Sequence, residues 1–276
     1  MYFMQDKVAL ILEGGAMRGA FSKGVLDCFR KEKIEFSYVV GVSAGAITGF
    51  EFVTKIDFDI NKLFFEFSKN ISILRSSASE IDLVKFVESI FKFPPLKKLE
   101  KTKFEIVATS LVDGSVKYFD FNESKDIYDV VKKVMASSSL PEMAKSVIID
   151  NIPYYDGGMY NTNPIQRAID LGYEKFVVVL TRNRGYRRKN VKLSNVLKND
   201  FKEYPKFLET MSLEKERYNN SLDLVDKLEK EKKAIVYAPV SKLKFNMFTT
   251  EFNEVKELYN EGYKLALETI EKVKKL

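Results

Sequence analysis

The feature that most limits what this chain can fold into is a pair of strand-to-helix steps within its first fifty residues. Val8-Ala9-Leu10-Ile11-Leu12 is a continuous apolar run that stops at Gly14-Gly15. An uninterrupted apolar strand is one buried on both faces, as in a parallel sheet. Residues 19–32 then read as a helix, Phe36 to Val40 as a second strand, and Ala44 to Val53 as an apolar helix. Strands alternating with helices in this order call for an α/β fold with a mainly parallel central sheet.

The rest of the chain continues the pattern. Residues 57–100 are rich in Phe and charge, read as helical, and close at Pro94-Pro95. Phe104 to Thr109 is a strand, and Val116 to Phe121 pairs with it across an Asp113-Gly114 turn. A helix near 124–136 leads to Ser137-Ser138-Ser139-Leu140-Pro141. Ser146 to Asp150 and Ile152 to Tyr155 are short strands, the second delivering Asp156. Pro164 to Leu171 is a short helix, and Phe176 to Leu180 another buried strand. The tail from about 194 reads as charged amphipathic helix, interrupted at Ala234 to Ala238 by a run suited to one more strand of the sheet.

Composition narrows the function classes. The single cysteine, Cys28, cannot form an intrachain disulfide and sits in a helical pattern as a buried thiol. Without histidine or a cysteine cluster, zinc is not expected. No segment resembles a nucleic-acid module. Met1 to Asp6 lacks a basic leader and no run approaches about 20 apolar residues, so a cytoplasmic protein is expected. The net charge of +6 suits either solvated helix faces or contact with an anionic membrane surface.

Gly41-Val42-Ser43-Ala44-Gly45 is a G-x-S-x-G pattern between a strand and a helix. A sharp turn there exposes Oγ of Ser43, while Gly41 and Gly45 leave room where strand and helix approach. The pattern arises by chance in roughly one chain in ten of this length, so its position carries the weight. The common serine machinery uses imidazole as base, yet the chain has no histidine. Either Ser43 is inert or another base activates it. Asp156, in Asp156-Gly157-Gly158 at a strand end, is the candidate; the plain alternative is an Asp-Gly turn. A carboxylate is a feeble base in water, but burial would raise its pKa. Ser212 with Lys215 and Ser241 with Lys244 match S-x-x-K but lie outside an elbow, in a chain where lysine is frequent.

Gly14-Gly15-Ala16-Met17-Arg18-Gly19 follows the first strand. As a dinucleotide fingerprint it has Ala16 for the middle glycine, and as a P-loop it lacks the Gly-Lys-Ser/Thr ending. Its amides could instead form an oxyanion hole. Arg18 would add positive potential or hold the loop's shape.

A glycine loop after strand one, G-x-S-x-G after the next strand and D-G-G more than a hundred residues later resemble the patatin-like phospholipases, over about residues 7–182. Ala136 to Pro141 is similar to the family's Ala-Ser-x-x-x-Pro segment, and Asn163-Pro164 to its Asn-Pro step. The resemblance implies a three-layer α/β/α fold and lipid acyl hydrolysis by a Ser-Asp dyad. It makes Ser43 the nucleophile, Asp156 the base and residues 14–19 the oxyanion loop, with Ala16 a departure where many members have glycine. The tail, 190–276, resembles the C-terminal extension of a bacterial subgroup, packed on the same domain.

The expected function is therefore a serine esterase acting on (lyso)phospholipids without metal or organic cofactor. An acyltransferase would use the same residues; a non-catalytic lipid-binding protein would not need them. Phe64, Phe65, Phe67, Phe86, Phe91 and Phe93 could line an acyl pocket or lid, or belong to the core. Arg182, Arg184, Arg187, Arg188 and Lys189 could meet lipid phosphates or form a solvated loop.

Overall fold

The computed structural model describes residues 3–56, 80–189, 193–240 and 252–276. Strands β1 (Phe3–Leu12), β2 (Ile34–Val42), β3 (Lys103–Ser110), β4 (Val116–Asp120), β5 (Val147–Ile149), β6 (Ile152–Asp156), β7 (Lys175–Val179) and β8 (Ala234–Tyr237) form one sheet. Its order is β5-β6-β3-β2-β1-β7-β8, with β4 paired to β3 off this path. The five strands from β3 to β8 in that order run parallel. β4 and β6 are antiparallel to β3, and β5 to β6.

Alternation along β1 explains the layers. Val8, Leu10 and Leu12 enter one core with helices α1 (Gly19–Lys31), α2 (Ala44–Thr54), α3 (Leu83–Ile90) and α4 (Ile127–Ser138). Ala9 and Ile11 enter a second core with α5 (Ile165–Asp170) and, from the tail, Tyr218, Leu222, Val225 and Leu228. Side chains one residue apart on a strand point to opposite faces. β1 is therefore apolar from Val8 to Leu12, at the centre of a three-layer α/β/α fold.

The tail contributes α6 (Asn195–Asp200), α7 (Pro205–Ser212), α8 (Glu214–Lys230) and α9 (Phe252–Lys274), besides β8. α9 crosses α1 where neither helix could carry a larger residue. A Cβ on Gly24 would lie 2.0 Å from the Tyr259 carbonyl oxygen, and one on Gly262 2.2 Å from that of Phe21. Among the described residues no helix is long and apolar enough to cross a membrane.

One expectation needs correction. Of residues 57–100, the described part is helical only over Leu83–Ile90, and the chain from Phe91 to Lys101 runs without helix. Pro94 and Pro95 remove backbone donors and push their predecessors into extended conformations. Phe86, Phe91 and Phe93 pack against the main core. Phe64, Phe65 and Phe67 lie outside the described residues. Cys28 is fully buried, and burial raises its thiol to about 11.

Candidate active site

The C-terminal ends of β1, β2 and β7 meet at one edge of the sheet, the customary ligand edge of open α/β sheets. β2 stops at Val42, and Ser43 turns the chain into α2 with φ 54° and ψ −122°. A positive φ in a non-glycine residue costs about 1–3 kcal/mol and persists only where surroundings enforce it. Here the Ser43 N–H donates to Ser137 Oγ at 2.8 Å, and its carbonyl accepts from the Ala46 and Ile47 amides at 2.9 and 3.1 Å. Gly41 and Gly45 make the turn sterically possible. A Cβ on Gly41 would lie 2.4 Å from the Gly45 carbonyl oxygen, and one on Gly45 2.3 Å from that of Leu12.

The pairing of β3 explains why Asp156 arrives beside Ser43. Residues 105–107 of β3 pair with both β2 and β4, so those two strands occupy opposite edges. Residues 108 and 109 pair with both β4 and β6, so β6 takes over the edge that β2 leaves. Val42 stands opposite Val107, and Asp156 opposite Ala108. The last residue of β6 thus sits just past the last residue of β2, where Ser43 begins.

Asp156 is 2% exposed. Burial raises its carboxyl to about 7; hydrogen bonds from the Ser43 hydroxyl and the Gly158 amide, and the charge of Arg188, oppose the rise. The Gly158 N–H donates to Asp156 Oδ1 at 2.7 Å from a short turn, Gly157–Met159. The Asp156 N–H donates to the Ser139 carbonyl at 2.8 Å. The end of α4 therefore holds both residues, one through the Ser137 side chain and the other through the Ser139 backbone.

The glycine loop closes the third side. The Gly14 N–H is used on the Thr162 carbonyl (3.0 Å) and the Arg18 N–H on the Gly15 carbonyl (3.1 Å). Among the described residues, the amides between them, of Gly15, Ala16 and Met17, donate no hydrogen bond. The six-residue span thereby narrows to three candidate donors. Ala16 adopts φ 49°, where glycine would be unstrained, so the loop keeps its shape at some backbone cost. Gly19 starts α1 against Ala44, next to Ser43: a Cβ on Gly19 would lie 2.7 Å from Cβ of Ala44.

A model of the patatin-like phospholipases matches residues 10–169. The chain belongs to that family. Residues 204–276 match a domain of unknown function, DUF6363. Among curated relatives, the uncharacterized protein YjjU of Escherichia coli K12 is 29% identical over 194 residues, covering 65% of this chain and 53% of its own. The probable lipid hydrolase 463L of invertebrate iridescent virus 6 is 26% identical over 185 residues, covering 58% of this chain and 62% of its own. The chain thus spans a little over half of each of these relatives. VipD of Legionella pneumophila aligns over 97% of this chain and 67% of its own, with 13% identity and a TM-score of 0.48.

In this patatin-like site, several residues around Ser43 and Asp156 belong to no motif of the sequence. Thr181 Oγ1 donates to the Gly14 carbonyl at 2.8 Å, and the Thr181 N–H to Glu13 Oε2 at 3.1 Å. Tyr218 of α8 donates to Glu13 Oε1 at 2.6 Å, tying the tail to the residue before the glycine loop. Burial raises the Glu13 carboxyl, with the Tyr218 hydrogen bond acting against it. Neither partner lies near Glu13 in sequence, so only the fold reveals the chain of contacts.

The basic run is divided among different tasks. Arg184 binds Glu229 and the Val236 carbonyl, and Arg187 bridges Asp223 and Asp226. Arg188 pairs with Glu214, donates to Thr162 Oγ1 at 3.2 Å and lies over the Tyr218 ring at 4.5 Å. Three of its arginines are therefore held by carboxylates. Ser212 donates to the Glu209 carbonyl within its own helix, and Ser241 lies outside the described residues.

Proposed function

We propose that this chain is a serine esterase that hydrolyses acyl esters of lipids, with (lyso)phospholipids as its substrates. The observation that carries the reading is the strand exchange on β3, which sets a buried carboxyl with a pKa near 7 against a half-buried serine in strained backbone. A base with a pKa near the working pH is the efficient one for moving a proton. Family membership and the lipid-hydrolase name of the viral relative support the substrate class.

The chemistry then follows in two steps. Ser43 Oγ attacks the acyl carbon while Asp156 takes its proton. The carbonyl oxygen, now negative, is met by the amides of Gly15, Ala16 and Met17 at the entry to α1. Asp156 returns the proton to the departing alkoxide, leaving the acyl group on Ser43. Water attacks that ester with Asp156 again as base, releasing the fatty acid and restoring Ser43.

The test is covalent labelling. A fluorophosphonate probe should label the wild type at Ser43 and leave Ser43→Ala unlabelled, while a lipid panel read by mass spectrometry shows free fatty acid from wild type only. Labelling that persists in Ser43→Ala would overturn the assignment.

A further inference from the structure

Helix α8 lies in the stretch that matches a domain of unknown function, and it meets the site by two separate routes. The first runs through Tyr218, which is fully buried. Its hydroxyl donates to Glu13 Oε1 at 2.6 Å, and Glu13 Oε2 accepts the Thr181 N–H at 3.1 Å. A buried carboxyl is costly unless donors of this kind meet it, so the three residues hold one another in place. Thr181 in turn holds the glycine loop. Its Oγ1 donates to the Gly14 carbonyl at 2.8 Å and fills the space beside Gly15, where a Cβ would lie 2.4 Å from it. Gly15 carries the first of the three candidate oxyanion donors.

The second route runs through Arg188. Its N–H donates to Asn219 Oδ1 at 2.9 Å, and Asn219 Nδ2 donates back to the Arg188 carbonyl at 3.1 Å. Its guanidinium is countered by Glu214, lies over the Tyr218 ring at 4.5 Å and donates to Thr162 Oγ1 at 3.2 Å. Thr162 stands between the two halves of the site. Its carbonyl accepts the Gly14 N–H at 3.0 Å. Its methyl group lies where a Cβ on Gly158 would come within 2.8 Å, and the Gly158 amide donates to Asp156 Oδ1 at 2.7 Å. One helix thus reaches both the loop that would meet the oxyanion and the turn that holds Asp156. Donors stabilise an oxyanion only within about 2.7–3.1 Å of it, so a small drift of the loop is enough to lose them.

We propose that α8 braces the catalytic centre, with Tyr218 and Arg188 as positioning residues that hold the amides of Gly15, Ala16 and Met17 in register with Ser43 and Asp156. The reacting groups all lie within the stretch matched by the patatin-like model, and the brace comes from beyond it. The tail thereby completes an active site to which it contributes no reacting atom. This inference rests on the esterase reading above.

The experiment uses the full chain and a short-chain neutral ester. Tyr218→Phe keeps the ring beneath Arg188 and removes the hydroxyl. Its kcat should fall about tenfold while KM stays within about twofold, because misplaced donors weaken the transition state more than substrate binding. The rate of fluorophosphonate labelling at Ser43 should fall by the same factor, since the phosphoryl oxygen would use the same amides. Thr162→Val, which leaves Arg188 paired with Glu214, should lower kcat in the same way through the second route. Thr181→Val and Thr181→Ser supply a rescue pair that needs no change in α8: the valine should lose about tenfold in kcat and the serine, which keeps the hydroxyl on Gly14, should recover most of it. That pair decides the matter even if Tyr218→Phe does not fold. Full kcat and labelling rate in folded Tyr218→Phe, with only the melting temperature lowered, overturns the brace. So does a loss confined to KM, or a Thr181→Ser protein no more active than Thr181→Val. Each of these results leaves the esterase reading standing. Absence of Ser43-dependent turnover and labelling in the wild type overturns that reading, and the brace with it.

Discussion

Two buried carboxylates on neighbouring strands behave in opposite ways. Glu105 on β3 and Asp156, which pairs three residues further along that strand, are each 2% exposed. Glu105 receives two N–H groups of Arg167 at 2.7 Å, the Tyr38 hydroxyl at 2.6 Å and an ion pair with Lys103 at 2.9 Å. Burial pushes its carboxyl up, but these donors outweigh it and hold the group at about 2. Asp156 has the Gly158 amide, the Ser43 hydroxyl and a more distant Arg188; burial prevails, and the group rests at about 7. Two carboxyls equally hidden from the surface thus become a permanently charged strut in one place and a group able to accept and release protons in the other. The deeper desolvation of Asp156 and the number and charge of donors on Glu105 together decide which.

The largest expected break in this contrast is Asp156→Asn. An amide cannot take the serine proton, so kcat/KM should fall about a thousandfold, within the range of lost general-base catalysis. The same variant should be more stable than wild type above pH 7. Asp156 has a raised folded pKa, so its stabilising contribution is complete below about pH 4 and is lost as pH rises through 7. A shift of about three units corresponds to a ceiling of about 4 kcal/mol. Urea melts at pH 4 and pH 8 would show the gap opening with pH; a variant destabilised at both would mean that Asp156 is a strut like Glu105.

Glu105→Gln should do the reverse. It leaves the Arg167 and Lys103 charges and the Tyr38 hydroxyl partly unsatisfied, costing about 3–5 kcal/mol. Because the folded pKa of Glu105 is depressed, its contribution is present above pH 4.5 and is lost as pH falls through 2. The cost should therefore be constant from pH 6 to pH 9, and the acid limb of activity should not move in any protein that remains folded.

That acid limb is the next discriminator. With no histidine in the chain, kcat/KM should fall about tenfold per pH unit below 7, through the desolvated Asp156 carboxyl. A limb below pH 5 would show Asp156 to be as well solvated or paired as Glu105. The smallest effect belongs to Tyr38→Phe. Losing one donor among several on Glu105 should cost about 1–2 kcal/mol in chemical denaturation and leave turnover unchanged.

Much of this could be read from order along the chain. The apolar runs at Val8 to Leu12 and Phe176 to Leu180 carry their burial on both faces in their composition, so the parallel sheet follows directly. The serine elbow was legible because glycine two residues either side of Ser43 is demanded locally by the strand-helix approach. The absence of histidine pointed to a carboxylate, and Asp156 was the one in an apt setting. The helical expectation for residues 57–100 failed from Phe91 to Lys101, where Pro94 and Pro95 remove backbone donors and hold their predecessors extended.

What the chain alone determined was the α/β alternation, the elbow at Ser43 and the identity of the chemical groups, since each depends on residues within a few positions of one another. The tertiary structure decided everything that depends on separation in space. Edge exchange on β3 brings residues 43 and 156 together, and α8 returns from beyond residue 213 to reach Glu13. It also decided which buried carboxyl is raised to about 7 and which is held at about 2. A pKa is set by the donors and solvent within a few ångströms of a group, and those neighbours come from strands and helices that the linear order does not place side by side.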